Sequence, residues 1–355
     1  MLTYETVQSV RELVSDAAKV YKDLDYIRYI ENDEIKSITF EEFNRRMIAI
    51  AAWTQEKSEE LGHPVRIALL AKNSALYLQM LVGIMCGGGV AIPIDAQMQT
   101  ESLCGCLNKA ETDILIYNRE IQLDEGYITQ KVSFISDIYY LEDGEGHTCS
   151  NILDEYEGRE PSNLVKSEEC ALILFTSGTT GEEKGVMLSN GNLVDSVFNT
   201  DHPKHMTNVN VLPFNHAFGI NADILLNICI GSTVCINGDA SKIGENLQLF
   251  EPTMVNMVPM IAHALYTKLE MLSKKTGKSL KECKSQVYGR NMIKIVTGGA
   301  PLSAELVDKY HEIGIFFCQG YGMTECAPTI ASPDTTRRDK ATTAGKVVKR
   351  CETRV

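Results

Sequence analysis

Short apolar runs alternate with helix-like segments along most of this chain, and this alternation limits the possible folds more than any other feature. The runs at 65–71, 90–94 and 113–117 have the length of strands, and the segments between them carry apolar residues at helical spacing. Strands that alternate with helices usually pair in parallel, with helices on both faces of the sheet. The sequence therefore predicts the α/β class, with doubly wound, mostly parallel sheets and flanking helices.

A stretch of weak periodicity divides the chain. From about 141 to 169, glycine, proline and carboxylates replace the alternating pattern. At about 100 to 200 residues per domain, a chain of 355 residues is long enough for two domains. We therefore predict two α/β subdomains, at 1–165 and 166–355. Further strands are expected at 171–175, 210–212, 233–236, 254–258, 293–296 and 315–318.

Helix signals precede the first strand. Apolar residues from Val7 to Tyr21 recur at helical spacing, and Thr39 followed by Glu42 forms a capping-box pattern. The second helix is expected to continue to about Leu61. The capping residues Asn73 and Ser74 can begin the helix that follows the first predicted strand.

Composition excludes several classes of protein. The formal charge is −13, and no long basic run occurs, which argues against nucleic acid as a partner. Eleven cysteines, an odd number, without an opening secretory segment favour reduced, buried thiols over a disulfide scaffold. The most apolar stretch, 78–94, is broken by glycines and is shorter than the roughly 20 residues that span a bilayer. We expect a cytoplasmic protein without a transmembrane segment; its oligomeric state stays open.

The strongest local signal is a loop rich in glycine and hydroxyl groups that directly follows a predicted strand. Its backbone amides and hydroxyls can converge on phosphate oxygens, and its lysine adds a point charge. The lysine comes three residues after the last loop glycine and is followed by Gly185, so the Walker pattern is not met. A solvated turn is the alternative for this segment alone. The candidate phosphate-binding residues are Thr176, Ser177, Gly178, Thr179, Thr180, Gly181 and Lys184.

Two more motifs follow predicted strands in the second half. The run at 297–301 is placed where open parallel sheets bind ligands, and its glycines permit close approach of a flat base or an acyl group. The next motif offers a ring, a hydroxyl and a carboxylate that could stack on adenine, contact a phosphate and hold Mg²⁺. Core packing of the tyrosine and simple surface charge are the alternatives. This motif consists of Gln319, Gly320, Tyr321, Gly322, Met323, Thr324 and Glu325.

On these motifs the chain resembles the AMP-forming acyl- and aryl-acid ligases, which include peptide-synthetase adenylation domains and luciferases. The loop at 176–185 matches the family's phosphate-loop signature, and 320–325 matches its G-Y-G-x-T-E signature. The stretches at 68–74, 87–95 and 212–219 look like further parts of the family pattern. The resemblance extends over essentially the whole chain and is closest in look to long-chain fatty acid:CoA ligases.

The resemblance implies a role for each motif. The phosphate-loop residues hold the β- and γ-phosphates of ATP, and Tyr321 stacks on adenine beside Gly299, Ala300 and Pro301. A substrate carboxylate then attacks the α-phosphorus, giving an acyl-adenylate and pyrophosphate, while the protein positions two anions and offsets developing charge. Thr324 would contact the α-phosphate and Glu325 would bind Mg²⁺. The residues implied as catalytic are Lys184, His216, Thr324 and Glu325.

The acid site is implied by the segment around His216, which in acyl-ligase relatives lines the pocket entrance. A core-packed, hydrogen-bonded histidine is the alternative. Amino-acid-activating relatives place an aspartate after the aromatic that corresponds to Phe214, whereas Asn215 stands here. Burying an ammonium without a counter-charge is costly, so a fatty or aryl acid is favoured. The candidate substrate-binding residues are His216, Phe218, Val258, Gly298, Gly299, Gly322 and Met323, although core packing explains Val258 equally well.

The resemblance also implies parts that are not found in this sequence. The family continues into a small barrel and a mobile C-terminal domain with a T-G-D motif, and no T-G-D occurs here. We expect the N-terminal portion of a longer ligase, poorly active alone, whose full-length form passes the acyl group to coenzyme A or to an acyl carrier protein. Glu183 replaces the family's Pro or small residue, and a carboxylate beside Lys184 lowers the local positive potential. An amino-acid-activating domain and a nucleotide- or acyl-binding protein without turnover remain alternatives.

Overall fold

The chain folds into two compact units in a computed structural model that describes residues 6–177, 183–199, 203–333 and 337–354. Unit 1 comprises Met1–Leu24, Ile38–Asp195 and Phe214–His216. Unit 2 comprises Asp25–Ser37, Ser196–Pro213 and Ala217–Val355.

Strands and helices alternate through both units. The strands are β1 (Asp25–Glu31), β2 (Glu34–Thr39), β3 (Arg66–Leu70), β4 (Val90–Ile94), β5 (Ile114–Tyr117), β6 (Asp137–Tyr140), β7 (Cys170–Ser177), β8 (Glu183–Ser189), β9 (Thr207–Asn210), β10 (Thr233–Ile236), β11 (Met254–Met257), β12 (Lys294–Thr297), β13 (Phe316–Gln319), β14 (Tyr321–Gly322), β15 (Thr329–Ser332) and β16 (Lys346–Val347). The α-helices are α1 (Val10–Tyr21), α2 (Phe40–Leu61), α3 (Ala75–Cys86), α4 (Thr100–Lys109), α5 (Glu125–Lys131), α6 (Cys149–Glu155), α7 (Asn190–Phe198), α8 (Ala217–Gly219), α9 (Leu226–Ile230), α10 (Ile243–Phe250), α11 (Pro259–Thr276), α12 (Leu280–Cys283), α13 (Ser285–Tyr288) and α14 (Ala304–Glu312).

Unit 1 is built on a six-stranded sheet in the order β6-β5-β3-β4-β7-β8. Its neighbouring strands pair in parallel except for β7 and β8, which are antiparallel. The residues of β4 and β5 are all buried, as expected when helices cover both faces of a parallel sheet. The chain enters the predicted phosphate loop at the carboxyl end of β7.

Local capping signals define the early helices of unit 1. The Thr39 side chain accepts a hydrogen bond from the Glu42 amide, and α2 ends at Gly62 in the left-handed conformation. Ser74 caps α3 by accepting from the Tyr77 amide. These observations confirm the predicted second helix and the helix start at 73–74.

Unit 2 contains a seven-stranded sheet in the order β13-β12-β11-β9-β10-β1-β2 and a three-stranded sheet in the order β14-β15-β16. The pairs from β13 across to β1 are parallel, and the small sheet is antiparallel. In the main core of unit 2, α10, α11, α13 and α14 pack against the seven-stranded sheet through side chains such as Leu269, Tyr288 and Tyr310. Together the two large sheets confirm the predicted α/β class with doubly wound, mostly parallel sheets.

The observed units differ from the predicted division at 165/166. Strand β7 follows that point in the chain but pairs with β4, so β7, β8 and the first six residues of α7 belong to unit 1. Conversely β1, which was not predicted, pairs with β10 and belongs to unit 2. The strand expected at 210–212 lies earlier, at Thr207–Asn210, because the chain leaves the sheet at Leu212 and Pro213.

The expectations for cysteine are confirmed, since all eleven cysteines are free thiols and eight of them are buried. Within the described ranges, no helix combines the length and apolar character that crossing a membrane requires.

Candidate active site

The predicted phosphate loop is carried by the β7–β8 hairpin of unit 1. Thr176 lies opposite Lys184 in the antiparallel register; Thr176 is half-buried and Lys184 is exposed. Residues facing each other on antiparallel strands project from the same side of the sheet, so this pair brings a hydroxyl and a cation together. Gly178, Thr179, Thr180 and Gly181 lie outside the described residues, and of Ser177 only the strand backbone is described.

Helix α4 holds the first residue of β8. The Cys106 thiol donates a hydrogen bond to the Glu183 carboxylate, and the Lys109 ammonium donates to the Glu183 backbone carbonyl at 2.6 Å. Burial, together with the Glu183 carboxylate, raises the pKa of the Cys106 thiol well above its usual range, so the thiol stays protonated and can donate. Glu183, the residue that departs from the family pattern, is therefore hydrogen-bonded by two side chains of α4. The sequence patterns did not predict this contact.

The segment before α8 begins in unit 1 with a buried aromatic residue. The Phe214 amide donates to the Asn73 side chain at 3.0 Å, and the Phe214 ring stacks on Tyr77 with centroids 6.0 Å apart. Two residues later His216 is exposed, so it is not the core-packed histidine of the alternative interpretation. The buried neighbour anchors this segment while leaving the imidazole accessible.

In unit 2 the ends of β12 and β13 are tied together by hydrogen bonds. The buried Thr297 hydroxyl donates to the Cys318 carbonyl at 3.1 Å, and the Gly320 amide donates to the Thr297 carbonyl at 2.9 Å. The side-chain oxygen of Gln319 accepts from the Leu302 amide at 3.1 Å, and its amide group donates to the Thr342 carbonyl at 2.7 Å. Gln319, predicted to bind nucleotide, thus fixes the 298–302 loop through its own amide.

Two positions of the loop after β12 favour glycine, each for a different physical reason. A Cβ atom on Gly298 would lie 3.1 Å from the Phe218 ring, so the missing side chain leaves room for that ring. Gly299 has φ +78°, which favours glycine. Ala300 and Pro301 are exposed. The loop therefore presents open backbone beside a half-buried phenyl ring.

The turn after β13 presents the second motif. Any side chain on Gly322 would clash with the Pro328 carbonyl, so the antiparallel pairing of β14 with β15 requires glycine. The Tyr321 side chain is 57% exposed and so is not packed in the core. A 3₁₀ turn at Thr324–Cys326 follows, in which Thr324 is half-buried and Glu325 is exposed. Ring, hydroxyl and carboxylate are all accessible on one short segment.

The carboxylate of Glu325 suits a cation that is shared with a ligand. Mg²⁺ in phosphate-binding sites usually takes one or two carboxylates and completes its shell with phosphate oxygens and water. Within the described parts of the chain, no group of three or more His, Cys, Asp or Glu side chains could hold a metal by itself. A single carboxylate therefore fits a cation whose other ligands are phosphate oxygens and water.

The candidate residues of unit 2 follow neighbouring strands at one edge of the large sheet. Phe218 follows β9, Val258 follows β11 and begins α11, Gly298 follows β12, and Tyr321 follows β13. The strand order reverses between β9 and β11, because β10 lies on the other side of β9. Ligands of open α/β sheets bind outside the carboxyl ends of the strands at such a reversal.

A buried carboxylate in unit 2 was missed by the sequence analysis. Asp223 is fully buried, and the side-chain amides of Asn208, Asn210 and Asn256 each donate to it at 2.8 Å. Burial raises the pKa of Asp223 to about 6, although these amides and the Leu212 backbone oppose the rise. The sequence feature that could have indicated this cluster is the asparagine at alternate positions of β9, Asn208 and Asn210. This spacing places two amides on one face of a buried strand.

Comparisons with known proteins agree with this geometry. The pattern of the AMP-binding enzyme family matches residues 14–355. A feruloyl-CoA synthase of Amycolatopsis is 26% identical over 305 residues, which cover 83% of this chain and 56% of that protein. A luciferin 4-monooxygenase of Photuris pensylvanica is 26% identical over 352 residues, 92% of this chain and 61% of that protein.

A solved structure shows the same fold. The long-chain-fatty-acid-CoA ligase of Archaeoglobus fulgidus superposes with a TM-score of 0.82 at 21% identity, covering 98% of this chain and 70% of that one. The chain thus spans 56% and 61% of the length of the two relatives named above.

Proposed function

Because the chain belongs to the AMP-binding enzyme family, we propose that it serves the ATP-dependent activation of a carboxylic acid to an acyl-adenylate, with release of pyrophosphate. The observation that carries the proposal is the edge of the unit 2 sheet, where Phe218, Val258, Gly298 and the Tyr321 turn follow adjacent strands. This edge offers an accessible ring, a hydroxyl and a carboxylate next to open backbone.

In this proposal each motif has its own role toward the nucleotide. Tyr321 stacks on adenine, with Gly299, Ala300 and Pro301 beside the ring. The triphosphate needs local positive charge, because the chain as a whole carries a formal charge of −13. Lys184 supplies such a charge, and Thr176 opposite it donates from its hydroxyl.

The chemical step is a displacement at phosphorus. A carboxylate oxygen of the acid attacks the α-phosphorus, the bond to the bridging oxygen breaks, and pyrophosphate leaves with that oxygen. Thr324 donates a hydrogen bond to an α-phosphate oxygen, and Lys184 offsets charge on the leaving group. Glu325 would hold Mg²⁺, which supplies charge neutralisation at the phosphates when it is bound. The protein acts by positioning two anions rather than through a covalent intermediate.

The acid is proposed to be a fatty or aryl acid without a charged tail. Phe218 and Val258 are apolar, and an exposed His216 lies two residues before Phe218. The buried Asp223 accepts three amide hydrogen bonds, so it is committed within the fold and not free to pair with a substrate ammonium. Apolar surface without a counter-charge disfavours an amino acid.

In the whole protein, the acyl group is proposed to pass to a thiol. The sulfur of coenzyme A attacks the acyl carbonyl of the adenylate, a thioester forms, and AMP leaves. One relative is named a feruloyl-CoA synthase, and the product in that name is a thioester of coenzyme A. An acyl carrier protein is the alternative acceptor, since its phosphopantetheine thiol has the same chemistry.

The test is acid-dependent exchange of radiolabelled pyrophosphate into ATP by the whole protein, measured across fatty, aryl and amino acids. We expect exchange with a subset of the fatty or aryl acids, and a loss of about 10²-fold or more in Glu325→Gln and Thr324→Val. Asp308→Asn, an exposed carboxylate on α14, serves as the matched control and should leave exchange unchanged. Exchange with amino acids alone would favour an amino-acid-activating domain, and nucleotide binding without any exchange would favour a binding protein.

A further inference from the structure

The segment after Phe218 forms an unusual turn in unit 2. Residues Ile220–Leu225 adopt a π-helical turn, in which the Leu226 amide donates to the Asn221 carbonyl. Such turns are rare and often occur at functional sites, because widening one turn of a helix changes the direction of the side chains before it relative to those after it. The proposed role of Phe218 therefore depends on what fixes this turn.

Three successive carbonyls of the turn accept side-chain donors. The Asn256 amide reaches the Ala222 carbonyl at 3.4 Å, and the Asn227 amide reaches the Asp223 carbonyl at 2.9 Å. The Tyr26 hydroxyl on β1 donates to the Ile224 carbonyl at 3.2 Å. The turn is thus held by side chains from β1, β11 and α9.

The Asp223 carboxylate joins the turn to two strands. Asn208 and Asn210 come from β9 and Asn256 from β11, and each donates at 2.8 Å. The backbone of Leu212, where the chain leaves β9, is hydrogen-bonded to the same carboxylate. An ionised carboxylate can accept about four hydrogen bonds, and this one is fully engaged without any cationic partner among those donors. One side chain therefore ties the end of β9 to the turn that follows Phe218.

The other side of the turn reaches the segment with Thr324 and Glu325. The Asn221 amide donates to the Ser196 hydroxyl at 3.0 Å and to the Ala327 carbonyl at 3.3 Å. Ala327 ends the 3₁₀ turn that carries Thr324 and Glu325. The π-helical turn thus has a second set of contacts, through Asn221, that does not involve the Asp223 carboxylate and that still supports the Thr324–Cys326 segment when that carboxylate is removed.

We propose that Asp223 is a positioning residue for the carboxylic acid: through Asn208, Asn210 and Asn256 it fixes the π-helical turn that sets the place of the Phe218 ring. The proposal rests on the proposed acid-activating function. It predicts that loss of the carboxylate weakens the acid part of the site while ATP binding is kept.

The experiment measures binding of two N-acylsulfamate esters of adenosine, which carry a dodecanoyl or a 4-hydroxycinnamoyl group on the sulfamate nitrogen, and separately of ATP, by calorimetry. For Asp223→Ala we expect about tenfold or greater loss of affinity for the ester that binds wild type, because a shift of about 1 Å can cost up to 10²-fold. ATP affinity should stay within about twofold. Asp223→Asn keeps the shape and one oxygen acceptor, but its NH2 group faces donors, so its loss of ester affinity should lie between wild type and Asp223→Ala.

A matched control separates positioning from general stability. Asn246 on α10 is buried, and its amide donates to the Asn237 carbonyl and side chain, away from the π-helical turn. Asn246→Ala should lower thermal stability but keep affinity for the acyl ester. If Asp223→Ala does not fold, Asn256→Ala can replace it, because it removes one of the three donors. It should lower the affinity for the ester less than Asp223→Ala would and leave the affinity for ATP unchanged.

The outcomes distinguish the two proposals. If wild type gives no acid-dependent pyrophosphate exchange, the proposed function fails. If wild type is active but Asp223→Ala and Asn256→Ala bind the ester as wild type does, the positioning role is refuted. It is also refuted if ester and ATP affinities fall in parallel, or if Asn246→Ala has the same selective effect.

Discussion

The buried carboxylate of Asp223 should make the stability of unit 2 depend on pH in a direction opposite to that of most carboxylates. Its folded pKa is raised from 3.8 to about 6, chiefly by burial. An acid with a raised folded pKa contributes stability that is fully present below pH 3.8 and is lost as pH rises through 6. Asp223→Asn keeps the shape but does not titrate, so it escapes this loss.

The magnitude follows from the shift in pKa. A rise of about two units at 1.36 kcal/mol per unit corresponds to about 3 kcal/mol over the whole window. About half of it, roughly 1.5 kcal/mol, falls between pH 5 and pH 7.5, since the folded group is still largely protonated at pH 5. The Tyr26 hydroxyl nearby has its pKa raised well above 10 by burial and so does not titrate in this range. Relative to wild type, Asp223→Asn should therefore gain about 1.5 kcal/mol between these two pH values.

The assay is equilibrium urea unfolding at pH 5 and pH 7.5, with pulsed hydrogen exchange of β9 and β11 reporting unit 2. The single tryptophan, Trp53, is buried in unit 1, so its fluorescence follows the other unit independently. Glu245→Gln, an exposed carboxylate on α10, is the control and should show no comparable pH-dependent gain. The reasoning is refuted if the difference between Asp223→Asn and wild type is constant, or if wild type gains stability at the higher pH.

Three further substitutions test separate contacts. Gly83→Ala should destabilise unit 1 by about 1–3 kcal/mol in urea unfolding, because the new methyl would lie 2.5 Å from the Cβ and Cγ2 atoms of Ile50; combined with Ile50→Ala, which removes Cγ2, the loss should be smaller than the sum of the two single losses. Gly298→Ala brings a methyl to 3.1 Å from the Phe218 ring, so it should change the ranking of acids in pyrophosphate exchange, with ATP affinity unchanged. Tyr321→Leu should weaken ATP binding in calorimetry by up to about tenfold through loss of stacking, whereas Tyr321→Phe should bind normally; equal affinity of both variants would exclude stacking.

Sequence patterns predicted the local elements well because each depends on neighbouring residues. Thr39 caps α2 through a side chain and an amide three residues apart, and a strand such as β4 is a run of five buried residues. The motif positions also followed, since a parallel sheet brings the carboxyl ends of its strands to one edge. A reader of the sequence can therefore find Gly298 and Tyr321 without knowing the pairing order.

The division into units could not be predicted in the same way. Strand β7 pairs with β4 at Leu172 and Ala91, and β1 pairs with β10 across about two hundred residues of chain. No local composition records such pairings, and the weak periodicity from 141 to 169 does not show which strands pair across it. The contacts of the Gln319 amide with Leu302 and Thr342 are likewise non-local, and its role in nucleotide binding stays a prediction.

The buried polar cluster shows a second limit of sequence patterns. Asp223 stands in an otherwise apolar segment, where a charged residue opposes burial unless donors surround it. Its donors come from β9 and β11, and they become neighbours only when the sheet forms. A local pattern can mark asparagines on one face of β9, but it cannot say that a carboxylate 13 residues beyond Asn210 completes them. A charged residue in an apolar segment therefore indicates that a hydrogen-bonding partner exists elsewhere in the chain, but the local sequence does not show which residue it is.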